Sequence, residues 1–341
     1  MIDYSKGRQT TTRQIACGSD ASAGSNPESV LRLSIPDDCA GLRLDQALAK
    51  LLPEYSRNRL QEWITSQLVR VDGEYASIRQ KVWGGESLEV TTQTHPTEQP
   101  YLPEDIALNV VFEDDSLLVI NKPVGMVVHP GSGNWKGTLL NALLYYASQL
   151  EEVPRAGIVH RLDKDTSGLL VVAKTLAAQT HLVRQLQAHS VKREYLSLVY
   201  GELRHGGVVN EPIGRHSANR IKMAVTASGK PAVTYFQVEE RFPNCTLLRC
   251  HLETGRTHQI RVHLAYLKHP LVGDSVYIKG AQKCTPGMRE LLTNFPRQAL
   301  HATRLALLHP VTGEEMEWLA PLPQDMQQLI NDIRAIANES A

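Results

Sequence analysis

The 341 residues suffice for one large or two modest domains with an ample core. Their 36 basic and 36 acidic side chains cancel, which argues against a generic polyanion binder and leaves only a local basic patch for that purpose. Five cysteines, at 17, 39, 245, 250 and 284, form no Cys-x-x-Cys pair and read as reduced thiols of a cytosolic protein, and no apolar run approaches membrane-spanning length.

Residues 1–29 are rich in Ser, Thr, Gly and Asn and read as a disordered leader. Ile15-Ala16-Cys17-Gly18 has the look of a lipoprotein cleavage site, but the segment before it is polar and lacks the apolar region a signal needs. Order is expected over 30–92. Leu44, Ala47, Leu48, Leu51 and Leu52 stand at helical spacing, and Pro53 stops that helix. Ser56 then opens a second helix through Leu60, Trp63 and Ile64. Leu68 to Gly73 reads as a short strand ending in an Asp-Gly turn, and Ser87 to Thr91 as another strand. Arg57 and Arg59 fall at the helix start, where free amides already favour phosphate. They are candidate RNA-phosphate ligands; on charge alone they read as solvated surface residues. Residues 93–104 carry three prolines and no apolar periodicity, a linker.

The remainder, 105–335, followed by a tail at 336–341, reads as α+β. Val110 to Phe112 and Leu117 to Asn121 form a hairpin about an Asp-Asp turn. Thr138 to Ala147 reads as an amphipathic helix, Leu169 to Ala173 as a buried strand and Leu176 to Ala188 as a helix. Tyr195 to Tyr200, Ala232 to Val238 and Cys245 to Leu252 read as strands. Strands that follow one another without intervening helices imply a mixed, largely antiparallel sheet. Cys245 and Cys250 then lie on opposite faces of a strand and act as small structural residues.

The densest chemistry is His160-Arg161-Leu162-Asp163-Lys164-Asp165-Thr166-Ser167-Gly168, directly before an apolar strand. Arg161 and Lys164 flank Asp163 and favour its charged form, and an ionised carboxylate can attack a sugar C1′ or take a sugar proton. By spacing alone, half of a structural ion pair is the commoner reading. A metal site would need more ligands. His258 and His263 are five residues apart, off one helix face, so no metal is expected. Tyr195, within Lys192 to Gly201, reads by itself as a tyrosine packed against its strand neighbours. In Leu252 to Leu264 a strand ends at Thr254-Gly255 and a helix begins near Arg256 or Thr257; Arg261 taken alone is a surface helix residue. Between 204 and 230, Arg204, Arg215, Arg220, Lys222 and Lys230 oppose only Glu211, a mobile basic loop able to grip phosphates. Asn121 to Gly131 reads as a turn pair supporting a cleft, with no catalytic role for Lys122.

The His160, Lys192 and Leu252 segments, in this order, resemble the three motifs of the pseudouridine synthases of the large-subunit ribosomal RNA type. Residues 269–274 (His-Pro-Leu-Val-Gly-Asp), 297–302 and Glu317-Trp318 agree with that family too. The helix–helix–hairpin with Ser-Arg-x-Arg resembles an S4 domain, a small α-L RNA-binding module. Together the likeness spans about residue 40 to 330. It implies a pseudouridine synthase catalytic domain behind an N-terminal S4 domain. Asp163 would be the catalytic residue, Tyr195 would line the active site, Arg261 would pair with Asp163, and Ile260 would offer apolar surface beside the base. Arg161 would fill the place the flipped base leaves, with His160 beside it as a further RNA contact. The implied reaction is cofactor-free isomerisation of uridine: the base flips, C1′–N1 breaks, uracil turns and C5 joins C1′. The implied substrate is large-subunit (23S) ribosomal RNA in the cytoplasm, as naked RNA or within an assembling 50S subunit, with no membrane partner. Two other classes compete: a non-enzymatic ribosome-assembly factor, and a metal-dependent RNA hydrolase.

Overall fold

A computed structural model describes residues 14–15, 29–53, 55–92, 101–131, 134–219, 222–278, 280 and 283–339. Apart from Gln14–Ile15 and Ser29, the expected leader lies outside the described residues, as do 93–100 of the linker, Arg220 and the last two residues of the tail. The chain divides into two compact units at the Pro100–Tyr101 boundary.

In the first unit, helices α1 (Leu44–Leu51) and α2 (Arg57–Thr65) accompany a five-stranded sheet. The strands are β1 (Gln14–Ile15), β2 (Ser29–Ser34), β3 (Val69–Val71), β4 (Glu74–Tyr75) and β5 (Ser87–Thr92), in the order β1-β2-β5-β3-β4 with every described pair antiparallel. The helical spacing buries Leu44, Ala47 and Leu48 of α1 against Leu60, Trp63 and Ile64 of α2. Ser56 caps α2 by accepting from the Arg59 amide. Asp72 and Gly73 both take positive φ (51° and 84°), the two-residue turn that matches strand twist.

The second unit is built on a nine-stranded sheet. Its strands are β6 (Val110–Glu113), β7 (Leu117–Lys122), β8 (Ser167–Ala173), β9 (Lys192–Tyr200), β10 (Gly207–Asn210), β13 (Val233–Phe242), β14 (Cys245–Leu252), β15 (Leu300–Leu308) and β16 (Glu315–Leu319). The order is β10-β13-β14-β9-β15-β8-β7-β6, with β16 added on β15. Among the described pairs only β8–β15 is parallel. A small hairpin, β11 (Ile213–Arg215) and β12 (Met223–Val225), stands apart. Helices α3 (Leu139–Tyr146) and α5 (Gln259–Tyr266) contribute to the core that contains Tyr195 and Leu252. α4 (Leu176–Gln187) packs with Leu169 and Val171, and α6 (Pro286–Asn294) with α7 (Gln324–Glu339) packs with Leu198 and Cys245.

Four expectations change. α3 is buried from Leu139 through Leu144, so it is a core helix, exposed only at Tyr145 and Tyr146. Residues 101–104 are fastened to the second unit: the Asn141 side chain donates to the Leu102 carbonyl (2.8 Å), and the Glu104 amide to the Asn141 carbonyl (3.0 Å). The basic segment around 215–225 forms the β11–β12 hairpin rather than a loop. Residues 336–339 continue α7. Cys245 and Cys250 enter different core clusters, and burial pushes both thiols up to about 12, leaving them unreactive at neutral pH.

Candidate active site

The loop that carries Asp163 is held by the strand after it. Ser167 and Gly168 pair in parallel with His301 and Ala302, and a Cβ on Gly168 (φ 115°) would lie 2.2 Å from the Ala302 carbonyl oxygen. Only glycine permits that approach. Side chains then fasten the loop residue by residue. Ser167 Oγ bonds His301 Nδ1 (2.9 Å), Gln298 donates to Thr166 Oγ1 (3.2 Å), and Arg297 donates to the Asp165 carbonyl (3.2 Å) while forking onto Asp325. From the opposite side, fully buried Lys122 donates to the carbonyls of Pro123 (2.8 Å), Met126 (2.9 Å) and Lys164 (3.0 Å). Burial brings the Lys122 ammonium down to about 7, against the opposing charges of Asp165 and Asp163. The turn pair expected at 121–131 thus braces the Asp163 loop through Lys122, a role the sequence reading did not assign.

Asp163 meets Arg261 from α5. Arg261 Nη1 donates to Asp163 Oδ2 (2.9 Å), while Nε and Nη2 fork onto Asp274 (2.7 and 3.0 Å). Arg261 is 5 % exposed and Asp274 fully buried, whereas the Asp163 side chain keeps 15 % of its surface open. One carboxylate is therefore locked and the other is presented. Burial opposes the Arg261 charge, but the bonds and charges of Asp274 and Asp163 outweigh it and hold its pKa above the ordinary arginine value. Asp274 also accepts from the amides of Val276 and Tyr277, on a turn opened by Gly273 (φ 72°), where a Cβ would lie 1.9 Å from the Arg297 carbonyl oxygen. Far from being a surface residue, Arg261 is the buried centre of this array. Arg161 and Lys164, the expected charge neighbours, are exposed.

His258 and Tyr277 complete the array, and the sequence reading singled out neither for a role here. His258 takes φ 59°, so α5 starts two or three residues later than expected, at Gln259. Its Nε2 lies 3.9 Å from Asp163, and its Nδ1 bonds the Tyr277 hydroxyl (2.8 Å). Burial lowers the His258 pKa despite Asp163. The Tyr277 ring lies 5.2 Å from the Arg261 guanidinium carbon. Position 274 could have been found in the 269–274 stretch, where a lone acid follows an apolar run.

Tyr195, Leu162, Leu252 and Ile260 belong to one buried apolar cluster. Tyr195 is 5 % exposed, and burial raises its phenol against the influence of Arg193. The hydroxyl stays protonated at neutral pH, which favours stacking over acting as a proton acceptor.

Several expected RNA contacts are placed differently. His160 is half-buried and accepts from the Val171 amide (3.1 Å); burial and nearby Arg193 push it down to about 3, so it is a neutral brace and not a cationic contact. Arg57 is committed to the fully buried carboxylate of Asp45 (3.0 and 2.8 Å), beside Arg43 and Gln61. Arg59 is 8 % exposed, its guanidinium carbon 4.8 and 4.9 Å from the Tyr55 and Trp63 rings. Lys222 donates to the Val276 carbonyl, and the Met223 amide to the Tyr277 hydroxyl, which ties the hairpin to the Arg261 array. Arg161 and Arg215 are exposed. Among the described residues no group of three His, Cys, Asp or Glu side chains is placed to hold a metal ion.

Comparison with known proteins gives the family of both units. Residues 116–266 match the RNA pseudouridylate synthase family, and residues 42–85 match the S4 domain. The chain is 55 % identical over 322 residues to the ribosomal large subunit pseudouridine synthase D of Nitrosomonas europaea, covering 94 % of this chain and 93 % of the relative. It is 51 % identical over 313 residues to the protein of that name from Haemophilus influenzae, covering 91 % and 96 %. Among solved structures, human RNA pseudouridylate synthase domain containing 4 is similar, with a TM-score of 0.54 at 25 % identity over 66 % of this chain and 93 % of the other.

Proposed function

The chain belongs to the RNA pseudouridylate synthase family and isomerises uridine to pseudouridine; on that premise we propose that Asp163 performs the sugar chemistry and that large-subunit ribosomal RNA is the substrate. The observation that carries the catalytic assignment is the Asp163–Arg261–Asp274 array. Arg261 is neutralised on one edge by a buried acid and offers its other edge to an acid open to solvent. Such a carboxylate is oriented before substrate arrives.

A uridine inside a stacked helix hides its glycosidic bond, so the base must leave the stack. Arg161, exposed at the loop, fills the gap, and Tyr195 with Ile260 receives the base on an apolar floor. Asp163 acts at C1′ or on the 2′ proton, C1′–N1 breaks, uracil turns, and C5 joins C1′. Product and reactant are isomers, so no energy source is consumed. The S4 unit supports an RNA substrate and the names of the relatives support ribosomal RNA; the enzyme meets it in the cytoplasm, as free RNA or on an assembling large subunit.

The test is pseudouridine mapping of large-subunit ribosomal RNA in cells lacking the gene, complemented with wild type or Asp163→Asn. Loss of discrete sites, restored by wild type alone, is expected. Sites unchanged by deletion would point to another RNA or to an assembly role. Restoration by Asp163→Asn would remove Asp163 from the chemistry.

A further inference from the structure

Arg193 is the buried cation of the cleft that the reading so far leaves without a role. It is 7 % exposed, and its Nε is buried with no hydrogen-bond partner. The polar contact it makes is from Nη2 to the Glu253 carbonyl oxygen, at 3.2 Å. Among the described residues no carboxylate pairs with it, and burial lowers its pKa. A desolvated guanidinium without an anion is costly, and Arg261 nearby shows the ordinary remedy, two acids on one arginine.

Arg193 and Tyr195 are two apart on β9, so their side chains leave the same face of the sheet, the face of the apolar cluster of Leu162, Leu252 and Ile260. The guanidinium of Arg193 therefore lies beside Tyr195, a residue proposed to receive the base. Gly255 leaves space for it, because a Cβ there would lie 2.8 Å from Arg193 Nη1.

We propose that Arg193 contacts the uracil itself and stabilises the negative charge it carries while detached from the sugar. This rests on the uridine-isomerising function and on Asp163 as the acting carboxylate. When C1′–N1 breaks, its electron pair stays on the uracil and spreads over O2 and O4. The sugar is balanced by a bond to Asp163 or by loss of its 2′ proton to Asp163. As C5 bonds to C1′, Asp163 returns to its free carboxylate form; the C5 proton leaves to water and N1 takes one up, so the product is neutral. A buried donor with no competing acid acts on charge that exists only after the bond has broken, which raises kcat and leaves ground-state binding alone. The depth of Arg193 favours the base over a phosphodiester, which stays on the RNA surface.

The experiment uses the full chain and large-subunit ribosomal RNA tritiated at uridine C5, supplied both as a protein-free transcript and in assembling large-subunit particles from cells lacking the gene. It reads tritium release at saturating RNA, RNA affinity at several salt concentrations, and thermal unfolding. Arg193→Gln is expected to lower kcat by about 100-fold or more. Its RNA affinity and salt slope should match wild type, and Arg193→Lys should recover part of the rate. Gly255→Ala keeps the charge and the fold but crowds the guanidinium, and should lower kcat in the same direction. Wild-type rates in both Arg193→Gln and Gly255→Ala would overturn the proposal. So would a loss residing in affinity with the salt slope reduced by about one, the mark of a phosphate contact. Absence of tritium release from wild type would instead overturn the underlying function.

Discussion

The N-terminal unit and the catalytic cleft each place arginines in conspicuous motifs, and the two regions use them differently. In the first unit Arg57 closes on the buried carboxylate of Asp45, and Arg59 lies against Tyr55 and Trp63. These guanidiniums build the module. In the second unit Arg261 spends one edge on a buried acid and the other on an acid left partly open, while among the described residues no acid pairs with Arg193. There the unspent donors and the partly open carboxylate are the groups we propose to act on the substrate. The lesson is that residue type and motif position do not separate a structural arginine from a functional one; what separates them is the balance of buried charge around each.

The sharpest way to break this contrast is Arg261→Met. It leaves Asp274 buried and uncompensated and lets Asp163 swing free. The expected loss is about 3–5 kcal/mol of stability, with activity down on the order of 1,000-fold. Urea unfolding and tritium release measure the two, and activity within tenfold of wild type would contradict the central place given to Arg261. Arg59→Ala tests the other region. Losing two ring contacts should cost about 1–2 kcal/mol, read in the unfolding of the N-terminal unit. If Arg59 were a phosphate ligand, stability would hold and the salt slope of RNA binding would fall.

A pH series sharpens the comparison further. His160 and His301 titrate at about 3 and about 4 in the folded protein against 6.5 unfolded, because burial disfavours their charged forms. Between those values the unfolded chain binds protons that the folded one does not. Their contribution is therefore complete above pH 6.5 and is lost as pH falls, through about 4 for His301 and about 3 for His160. His160→Gln, whose side-chain oxygen can still accept from Val171, should flatten that acid limb in thermal melts. An unchanged limb would mean that His160 is charged in the folded state. The smallest effect expected is from Arg215→Ala, at the exposed end of β11. RNA affinity should weaken a few-fold and the salt slope fall by about one, with kcat untouched. A change in kcat alone would move Arg215 from the RNA surface into the reaction.

Much of the architecture was legible from the chain because it rests on local rules. Helical spacing in Leu44 to Leu52, the Ser56 cap, the Asp72-Gly73 turn and the strand alternations are short-range signals, and the structure follows them. Asp163, Tyr195 and Arg261 could be nominated because three motifs stand in order. What those rules miss is whatever depends on neighbours far along the chain. A run of six buried residues makes α3 a core helix, which periodicity alone cannot tell from an amphipathic one. Asp274 joins Arg261 only because the turn opened by Gly273 brings position 274 beneath α5. Lys122 reaches Lys164 across 42 positions, and Arg297 reaches Asp165 across 132. Residue identity thus determined which chemistry was possible. Tertiary packing decided which arginine was neutralised, which carboxylate stayed open and which histidine lost its charge, because desolvation and ion pairing depend on the surroundings that only the fold creates.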